Sequence, residues 1–327
     1  MAIDTASVGQ RMVIRYVVAG QGPTGGPAMT DVVGRVLAVG DGRVIVERRD
    51  GSPVVVDLAD VVAAKVVAPT PVRSRRARAI SADNLTRITS RGWPAVVSEP
   101  LGEWELRASN GFTGRANSVA VTGDPGVPGA EAIAAVVAFY DRHDSLPMAQ
   151  VVVGSDGERL FTDAGWTPVR DRPGGAIVQV AELPNRPQGE AGSIGDPSIE
   201  DPAIEDRASD EWLALYHRVD DPATARAVLE GPVTVGFVSI GVPVVAIGRV
   251  VVTGEWAGLA CVEVAADSRR QGLGTRIVDA SIAWARQHGA DKAYLQTMAD
   301  NAAAIALYKP YGFHTHHEYL YLSAPTA

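Results

Sequence analysis

The segment Arg269–Thr275 reads Arg-Arg-Gln-Gly-Leu-Gly-Thr and follows a run of β-branched residues. A helix is predicted over Gly272–His288, because Leu273, Ile277 and Trp284 recur at helical spacing. The N–H groups of a helix's first turn have no partner inside the helix, so they can hold phosphate oxygens. The two arginines add charged donors. We therefore expect a diphosphate-binding loop at Arg269–Thr275.

Two common nucleotide-binding motifs do not fit this loop. A dinucleotide fingerprint needs a third glycine at a fixed spacing after Gly274 and a parallel sheet, whereas the preceding strands are spaced like antiparallel hairpins. A P-loop ends in Lys followed by Ser or Thr, and Gly274 is followed directly by Thr275 and Arg276. The loop therefore belongs to another class of phosphate site.

The loop resembles the pyrophosphate loop of the GNAT superfamily of N-acetyltransferases, which reads Arg or Gln, two residues, Gly, one residue, Gly or Ala. Arg269, Gly272 and Gly274 occupy those positions. Downstream, Asn301 and Tyr308 are similar to the family's C-terminal pattern. That pattern continues here with Tyr311, Gly312 and Phe313. The order and spacing identify residues 208–327 as resembling a catalytic GNAT domain.

The resemblance implies acetyl-CoA as the co-substrate and no metal. Val262 and Val264, at the end of the strand before the loop, would expose backbone groups to the pantetheine arm. Asn301 would contact the cofactor, and Tyr308 would protonate the departing CoA thiolate. The loop residues would hold the pyrophosphate: Arg269, Arg270, Gln271, Gly272, Leu273, Gly274 and Thr275.

The sequence does not decide which residue is the general base. An amine with a pKa near 10.4 must lose a proton before it attacks a thioester, and a carboxylate acting through water can accept that proton. Some family members carry Glu five residues before the Asn, where this chain has Gln296. Glu255 and Glu263 are the nearest alternatives, and a reaction without a dedicated base is a third.

Three further segments precede this domain. Short β-branched runs separated by Gly and Asp predict a small all-β, SH3-like barrel over residues 1–70. Residues 72–183 have the element order of a second, degenerate GNAT half, and residues 184–207 read as an exposed acidic linker. The expected fold class is α/β (α+β), a tandem GNAT with a mixed central sheet flanked by helices.

The degenerate half is not expected to bind CoA. Its loop at Gly123–Gly126 lacks arginines, and its prolines remove amide donors. Arg115–Val121 is predicted to be a strand. Four residues of this half could either contact the substrate or make structural hydrogen bonds, and the structural role is favoured. They are Arg107, Arg115, Asn117 and Ser118.

Composition and charge limit the expected partners and cellular compartment. The net charge of −8 argues against nucleic acid as a partner, and the lone cysteine, Cys261, excludes an intrachain disulfide. No apolar run approaches the roughly 20 residues of a membrane span. We expect a cytoplasmic protein without a membrane partner, and the sequence leaves a homo-oligomer open. His314 and His316 share one side of the last predicted strand, but no Cys or clearly placed carboxylate completes a metal site.

The sequence thus predicts an N-acetyltransferase that moves acetyl to a primary amine by direct attack in a ternary complex. The acceptor is either a protein lysine or N-terminus, or a small amine. The alternative is a non-catalytic acetyl-CoA sensor or scaffold with a partner-binding barrel. Tyr308 favours the enzyme, whereas Gln296 keeps the alternative open.

Overall fold

A computed structural model describes residues 3, 7, 8, 10–21, 25–48, 53–66, 76–169, 175–183 and 200–325. The chain divides into two compact units, residues 1–74 and 75–327. Most of the predicted linker, residues 184–199, lies outside the described residues. Its last part contains the short strand Ala203–Glu205.

The N-terminal unit is a five-stranded antiparallel sheet in the order β4-β3-β2-β1-β5. Its strands are β1 (Arg11–Gln21), β2 (Pro27–Gly40), β3 (Arg43–Arg48), β4 (Pro53–Asp57) and β5 (Val61–Val66). Register shifts in β1 and β2 bend these long strands. The alternating apolar residues of the strands meet in one core, as the sequence pattern predicts: Met12, Ile14, Val32, Val36, Val44, Val46 and Val56.

The C-terminal unit is built on one large mixed sheet flanked by helices. Its helices are α1 (Ala82–Gly92), α2 (Gly129–Arg142), α3 (Asp156–Asp163), α4 (Asp210–Leu215), α5 (Pro222–Leu229), α6 (Leu273–Gln287) and α7 (Ala302–Tyr308). Its strands are β6 (Val97–Leu101), β7 (Trp104–Ala108), β8 (Val119–Ala120), β9 (Met148–Val152), β10 (Thr167–Pro168), β11 (Ala176–Glu182), β12 (Ala203–Glu205), β13 (Val235–Ile240), β14 (Ala246–Thr253), β15 (Trp256–Val264), β16 (Lys292–Met298) and β17 (His314–Ser323).

The two halves of this sheet exchange their last strands. The order is β12-β13-β14-β15-β16-β11-β17-β9-β8-β7-β6, with β10 paired to β17. Parallel pairs β15–β16 and β8–β9 occur once in each half. β11, from the first half, pairs with β16 of the second, whereas β17 pairs with β9 of the first. Each half therefore completes the sheet of the other.

Helix α6 covers one face of the second half. Its buried side chains Ile277, Val278 and Ile282 pack onto β13, β14 and β15. The helix begins after Gly272, which has φ +79°, and the chain turns away at Gly289, which has φ +91°. Both positions lie in the left-handed region that favours glycine.

One predicted element was wrong for most of its length. Only Val119–Ala120 of the expected strand Arg115–Val121 is extended, because a side chain organises the residues before it. Asn117 accepts hydrogen bonds from the N–H groups of Ser109 and Gly111 and donates to the carbonyls of Phe112 and Thr113. An asparagine can satisfy backbone groups in this way without a neighbouring strand.

Candidate active site

The predicted phosphate loop is an open turn at the start of α6. Arg270 has φ +66° and Gly272 has φ +79°. No atom lies within 4 Å of the point where a Cβ on Gly272 would stand, and no side chain caps the helix. The N–H groups of the first helical turn are thus free of intrahelical partners. Arg269 is held beside them, since its Nε donates to the Val264 carbonyl at 3.1 Å.

β15 and β16 part before the chain reaches this loop. Their parallel pairing runs from Trp256–Lys292 to Leu259–Leu295 and then stops. Cys261 has φ +55° at an irregularity in β15. Beyond it, Val262 and Val264 pack on the α6 side. Along β15 after Leu259, the edge that faces β16 has no strand partner among the described residues, so its backbone groups are available to a ligand.

Tyr308 lies in the core below the loop. The residue is 5% exposed, and its ring packs edge-on against Phe313 with centroids 5.4 Å apart. Its hydroxyl makes no hydrogen bond to a described residue. Burial raises the pKa of Tyr308 above its ordinary value, so the phenol stays protonated at neutral pH. A protonated, unengaged phenol can donate a proton.

The side chain of Asn301 has a structural role at the start of α7. Its Oδ1 accepts a hydrogen bond from the Ala304 N–H at 3.0 Å, so it is the N-cap of this helix. A cofactor contact would have to use the other end of its amide.

The two candidate bases lie at opposite ends of β15. Glu263 is eight positions after Glu255, or about 26 Å along a strand at about 3.3 Å per residue. Glu255 pairs with the buried Lys292 at 2.6 Å. Glu263 lies four residues beyond Leu259, on the part of β15 that no longer pairs with β16. Burial raises the pKa of Glu263 above its ordinary value, opposed by His217 and Arg218.

A pocket opens where β15 and β16 part, on the side of the sheet away from α6. Its lining includes Trp93 and Arg115 from the first half and Arg249, Tyr294 and Gln296 from the second. Sequence analysis left Arg249 and Trp93 unnoticed. An arginine within the apolar strand β14 was the available signal, since arginine is rarely buried without a partner.

The other polar residues of the first half are engaged internally. Arg107 donates to Ser118, Ser90 and Gln150, and it is 2% exposed. Asn117 braces the turn before β8, as described above. Ser118 Oγ donates to the Gly114 carbonyl. Of the four residues weighed as substrate contacts, Arg115 alone is part of the pocket lining.

The loop before α2 has its amides occupied by carboxylates. Gly123 N–H donates to Asp83 and Asp124 N–H donates to Glu103. Gly126 N–H donates to the side chain of Asp124. These carboxylates would compete with a phosphate at the same donors.

The histidines of β17 contact one another and the backbone. His316 Nδ1 and His317 Nδ1 are 2.8 Å apart, and His316 Nε2 is 2.9 Å from the Ile80 carbonyl. Arg78 donates to His314. Burial lowers the pKa of His317 to about 4. Within the described residues, no group of three or more His, Cys, Asp or Glu side chains is placed to hold a metal ion.

No helix in the described part of the chain has both the length and the apolar character that crossing a bilayer requires.

Two curated proteins have sequences similar to this chain. A probable histone acetyltransferase, Rv0428c of Mycobacterium tuberculosis (strain ATCC 25618 / H37Rv), is 29% identical over 98% of this chain and 97% of its own. An uncharacterized N-acetyltransferase, YobR of Bacillus subtilis (strain 168), is 26% identical over 70% of this chain and 93% of its own.

A solved tandem GNAT protein from the clavulanic acid biosynthesis pathway has a similar fold. It superposes with a TM-score of 0.52 at 16% identity and covers 64% of this chain and 76% of its own. Residues 82–322 match the family described as probable histone acetyltransferase Rv0428c C-terminal, and residues 6–65 match the Rv0428c N-terminal Sm-like domain. The predicted small β unit is thus of the Sm-like type, and the chain is an acyltransferase that belongs to the Rv0428c family, with a GNAT fold in its C-terminal unit.

Proposed function

We propose that the protein transfers acetyl from acetyl-CoA to a primary amine by direct attack in a ternary complex. The observation that carries this proposal is the open turn at Gly272, which follows the unpaired end of β15. The pyrophosphate would bind Arg269–Thr275 at the start of α6. The pantetheine arm would add to the unpaired edge of β15 at Val262 and Val264. The thioester would then reach the parting of the strands.

Two side chains would move the protons. Glu263 would take a proton from the amine, directly or through water, since it lies at the same end of β15. The amine nitrogen would then attack the thioester carbon, a C–N bond would form, and the C–S bond would break. Tyr308 would give its proton to the departing thiolate, because its phenol is protonated at neutral pH and makes no hydrogen bond to another described residue. Glu255 is the weaker proposal for the base, since it is already paired with Lys292.

The protonation of the Cys261 thiol is consistent with direct attack by the amine. Burial raises the pKa of this thiol. A thiol is a poor nucleophile, because the thiolate is the reactive form. An acyl-enzyme on Cys261 is therefore disfavoured relative to attack by the amine itself.

For the organisation of the chain, we propose residues 72–183 as a degenerate GNAT half and residues 208–327 as the catalytic half. The engaged amides of the Gly123–Gly126 loop support a first half that does not bind CoA. Its proposed role is to supply Trp93 and Arg115 to the acceptor pocket. The acceptor would be either a protein lysine or N-terminus, or a small amine.

The test is calorimetric titration with acetyl-CoA of the wild type and of Gly272→Glu. The new side chain would point into open space and bring a negative charge to the phosphate loop, so we expect binding to weaken at least about 100-fold, which is about 2.7 kcal/mol. Gly289→Glu is the matched control. It lies at the other end of α6, also at positive φ and with no atom within 4 Å, so it adds the same strain and charge away from the loop.

Equal loss of binding in both glycine variants would point to strain in α6 rather than to the loop. Absence of acetyl-CoA binding by the wild type would overturn the proposal. Release of free thiol in the presence of an amine distinguishes the enzyme from a protein that only binds acetyl-CoA.

A further inference from the structure

The acceptor pocket contains polar atoms that the protein leaves without partners. It is a narrow opening, and the ≈ 240 Å³ of non-atom space measured there includes open solvent. Arg249 Nη2 and Gln296 Oε1 are buried and have no hydrogen-bond partner among the described residues. Buried polar atoms are almost always paired, so an unpaired donor and an unpaired acceptor on the same pocket indicate a ligand that carries both complements.

Arg249 is fixed so that one arm of its guanidinium stays available. The side chain is on β14 and is 1% exposed. Its Nε donates to the Leu229 carbonyl at 2.8 Å, and its Nη1 donates to the Gly92 carbonyl at 3.0 Å. These two bonds hold the guanidinium plane in place. Burial lowers its pKa to about 10, so it remains charged at neutral pH.

A second arginine lies on the same aromatic ring. The guanidinium carbon of Arg115 is 4.0 Å from the centroid of Trp93, and that of Arg249 is 4.9 Å away. Arg115 makes no hydrogen bond or ion pair with a described residue. After burial, the side chains that most affect its pKa are the phenols of Tyr319, Tyr321 and Tyr216 and the thiol of Cys261.

No carboxylate among the described residues pairs with either arginine. Phenols and thiols are mostly neutral at pH 7, so the two guanidinium charges have no protein counter-ion in the pocket. Two positive charges against one ring repel each other unless an anion lies between them or beside them. A carboxylate suits this arrangement, because guanidinium groups bind it with paired hydrogen bonds.

Gln296 supplies the unpaired hydrogen-bond acceptor of the pocket. Its Oε1 can accept a hydrogen bond from an amine N–H but cannot take the proton. Gln296 follows Leu295, the last residue of β16 that pairs with β15, so it lies where the proposed thioester would arrive. An amine at Gln296 and an anion at Arg249 would thus bind in the same pocket, whose lining includes both residues.

We propose that the acceptor is a small amine with an adjacent carboxylate, of the α-amino-acid type, rather than a protein lysine. This inference rests on the proposed acetyl transfer. The carboxylate binds Arg249 Nη2 and Arg115, and the amine donates to Gln296 Oε1. A lysine side chain has no anion near its ε-amine, so it would leave Arg249 Nη2 buried and unpaired, which is unfavourable.

The experiment compares the twenty protein amino acids with their carboxamides as acceptors, and adds a lysine-containing peptide with a neutral amide at each end. Thiol release gives kcat/KM, and calorimetry on the CoA-saturated protein gives affinity. The carboxamide keeps size and amine but removes the anion. Its α-amine has a pKa of about 8, so it is more often deprotonated than the amine of the acid. A preference for the acid must therefore come from the protein.

We expect at least one amino acid to bind and react at least about 100-fold better than its carboxamide. In Arg115→Met, which keeps an apolar side chain of similar length, this ratio should fall at least about tenfold while acetyl-CoA affinity stays unchanged. Arg142→Met is the matched control. Arg142 is an exposed arginine of the same half, and its guanidinium carbon is also near an aromatic ring, 5.6 Å from the centroid of Phe139.

The outcomes separate this inference from the proposed function. Turnover with carboxamides or the lysine peptide at rates equal to those of the acids would overturn the inference and leave acetyl transfer in place. Selective binding of an acid without turnover of any amine would support the anion pocket and contradict acetyl transfer. An unchanged acid preference in Arg115→Met would remove Arg115 from the assignment, and equal affinity of acids and amides in the wild type would overturn it entirely.

Discussion

At the scale of single residues, Tyr308 combines two properties that a packing residue does not need. Its ring fills the core against Phe313, yet its hydroxyl is not used by a described residue. The hydroxyl is not among the fully buried atoms that lack a partner, so it keeps some access to solvent or to a ligand. The departing thiolate would be its partner during the reaction.

Tyr308→Phe should lower kcat at least about 100-fold, in the range that positioned acid catalysis contributes. The ring is kept and no hydrogen bond is lost, so the melting temperature and the affinity for acetyl-CoA should change little. Thiol-release kinetics, calorimetry and thermal unfolding measure the three quantities. An unchanged kcat with all else intact would return Tyr308 to a packing role.

Glu263 should control the acidic side of the pH profile of kcat. Burial raises its pKa above the ordinary value. A base must be ionised, so activity should fall as the pH is lowered through this raised pKa. Glu263→Gln should lose that decline and lower kcat about 100-fold. Glu255→Gln is the comparison variant, and loss of the decline in that variant instead would place the base at Glu255.

At the scale of elements, the exchange of β11 and β17 decides how the sheet is completed. Val178, at the centre of β11, faces Gln296 on β16 and His317 on β17 in the register of the sheet. β11 thus supports the strand that carries Gln296. Without β11, the edges of β16 and β17 would be left unpaired, and exposed strand edges are prone to aggregation.

Val178→Pro should destabilise the C-terminal unit. Proline removes a backbone donor from a strand paired on both sides, and an unmade buried hydrogen bond costs about 1–3 kcal/mol before any steric cost. We expect the melting temperature to fall by at least about 4 °C. Ala203→Pro in the edge strand β12 is the control, since an edge strand tolerates proline better. Similar shifts in both variants would contradict a central role for β11.

At the scale of the whole molecule, the C-terminal unit is one compact unit although its sheet is built from two halves. The Arg249 side chain, in the second half, donates to the Gly92 carbonyl in the first. Trp93 and Arg115 come from the first half and complete the pocket of the second. A pocket shared in this way needs both halves.

Cutting the chain between the halves should therefore leave them together. A protease site introduced between Leu183 and Glu200 would divide the chain covalently into two fragments. We expect the fragments to co-elute on size exclusion and to keep acetyl-CoA affinity within about twofold, because the exchanged strands hold them. Separation of the fragments under native conditions would contradict this, and separation in denaturant confirms that the cut was complete.

The sequence by itself determined the turn before α6 and the type of fold. Arg269, Gly272 and Gly274 define a local turn, and the following helix is encoded by its own periodicity, so no distant contact is needed to predict them. The same holds for the short strands of the N-terminal unit. Asn301 and Tyr308 stand at a fixed spacing after the loop, and that spacing is what predicts the second motif.

Only the tertiary structure decided how distant segments meet. The insertion of β11 between β16 and β17 depends on strand pairing across more than a hundred residues, which local patterns do not encode. The same is true of the pocket, where Arg115 and Arg249 lie on one Trp93 ring although they are far apart in the chain. A buried arginine looks alike in sequence whether its hydrogen bonds are complete, as in Arg107, or incomplete, as in Arg249. That difference arises from the neighbours that the fold brings to each side chain.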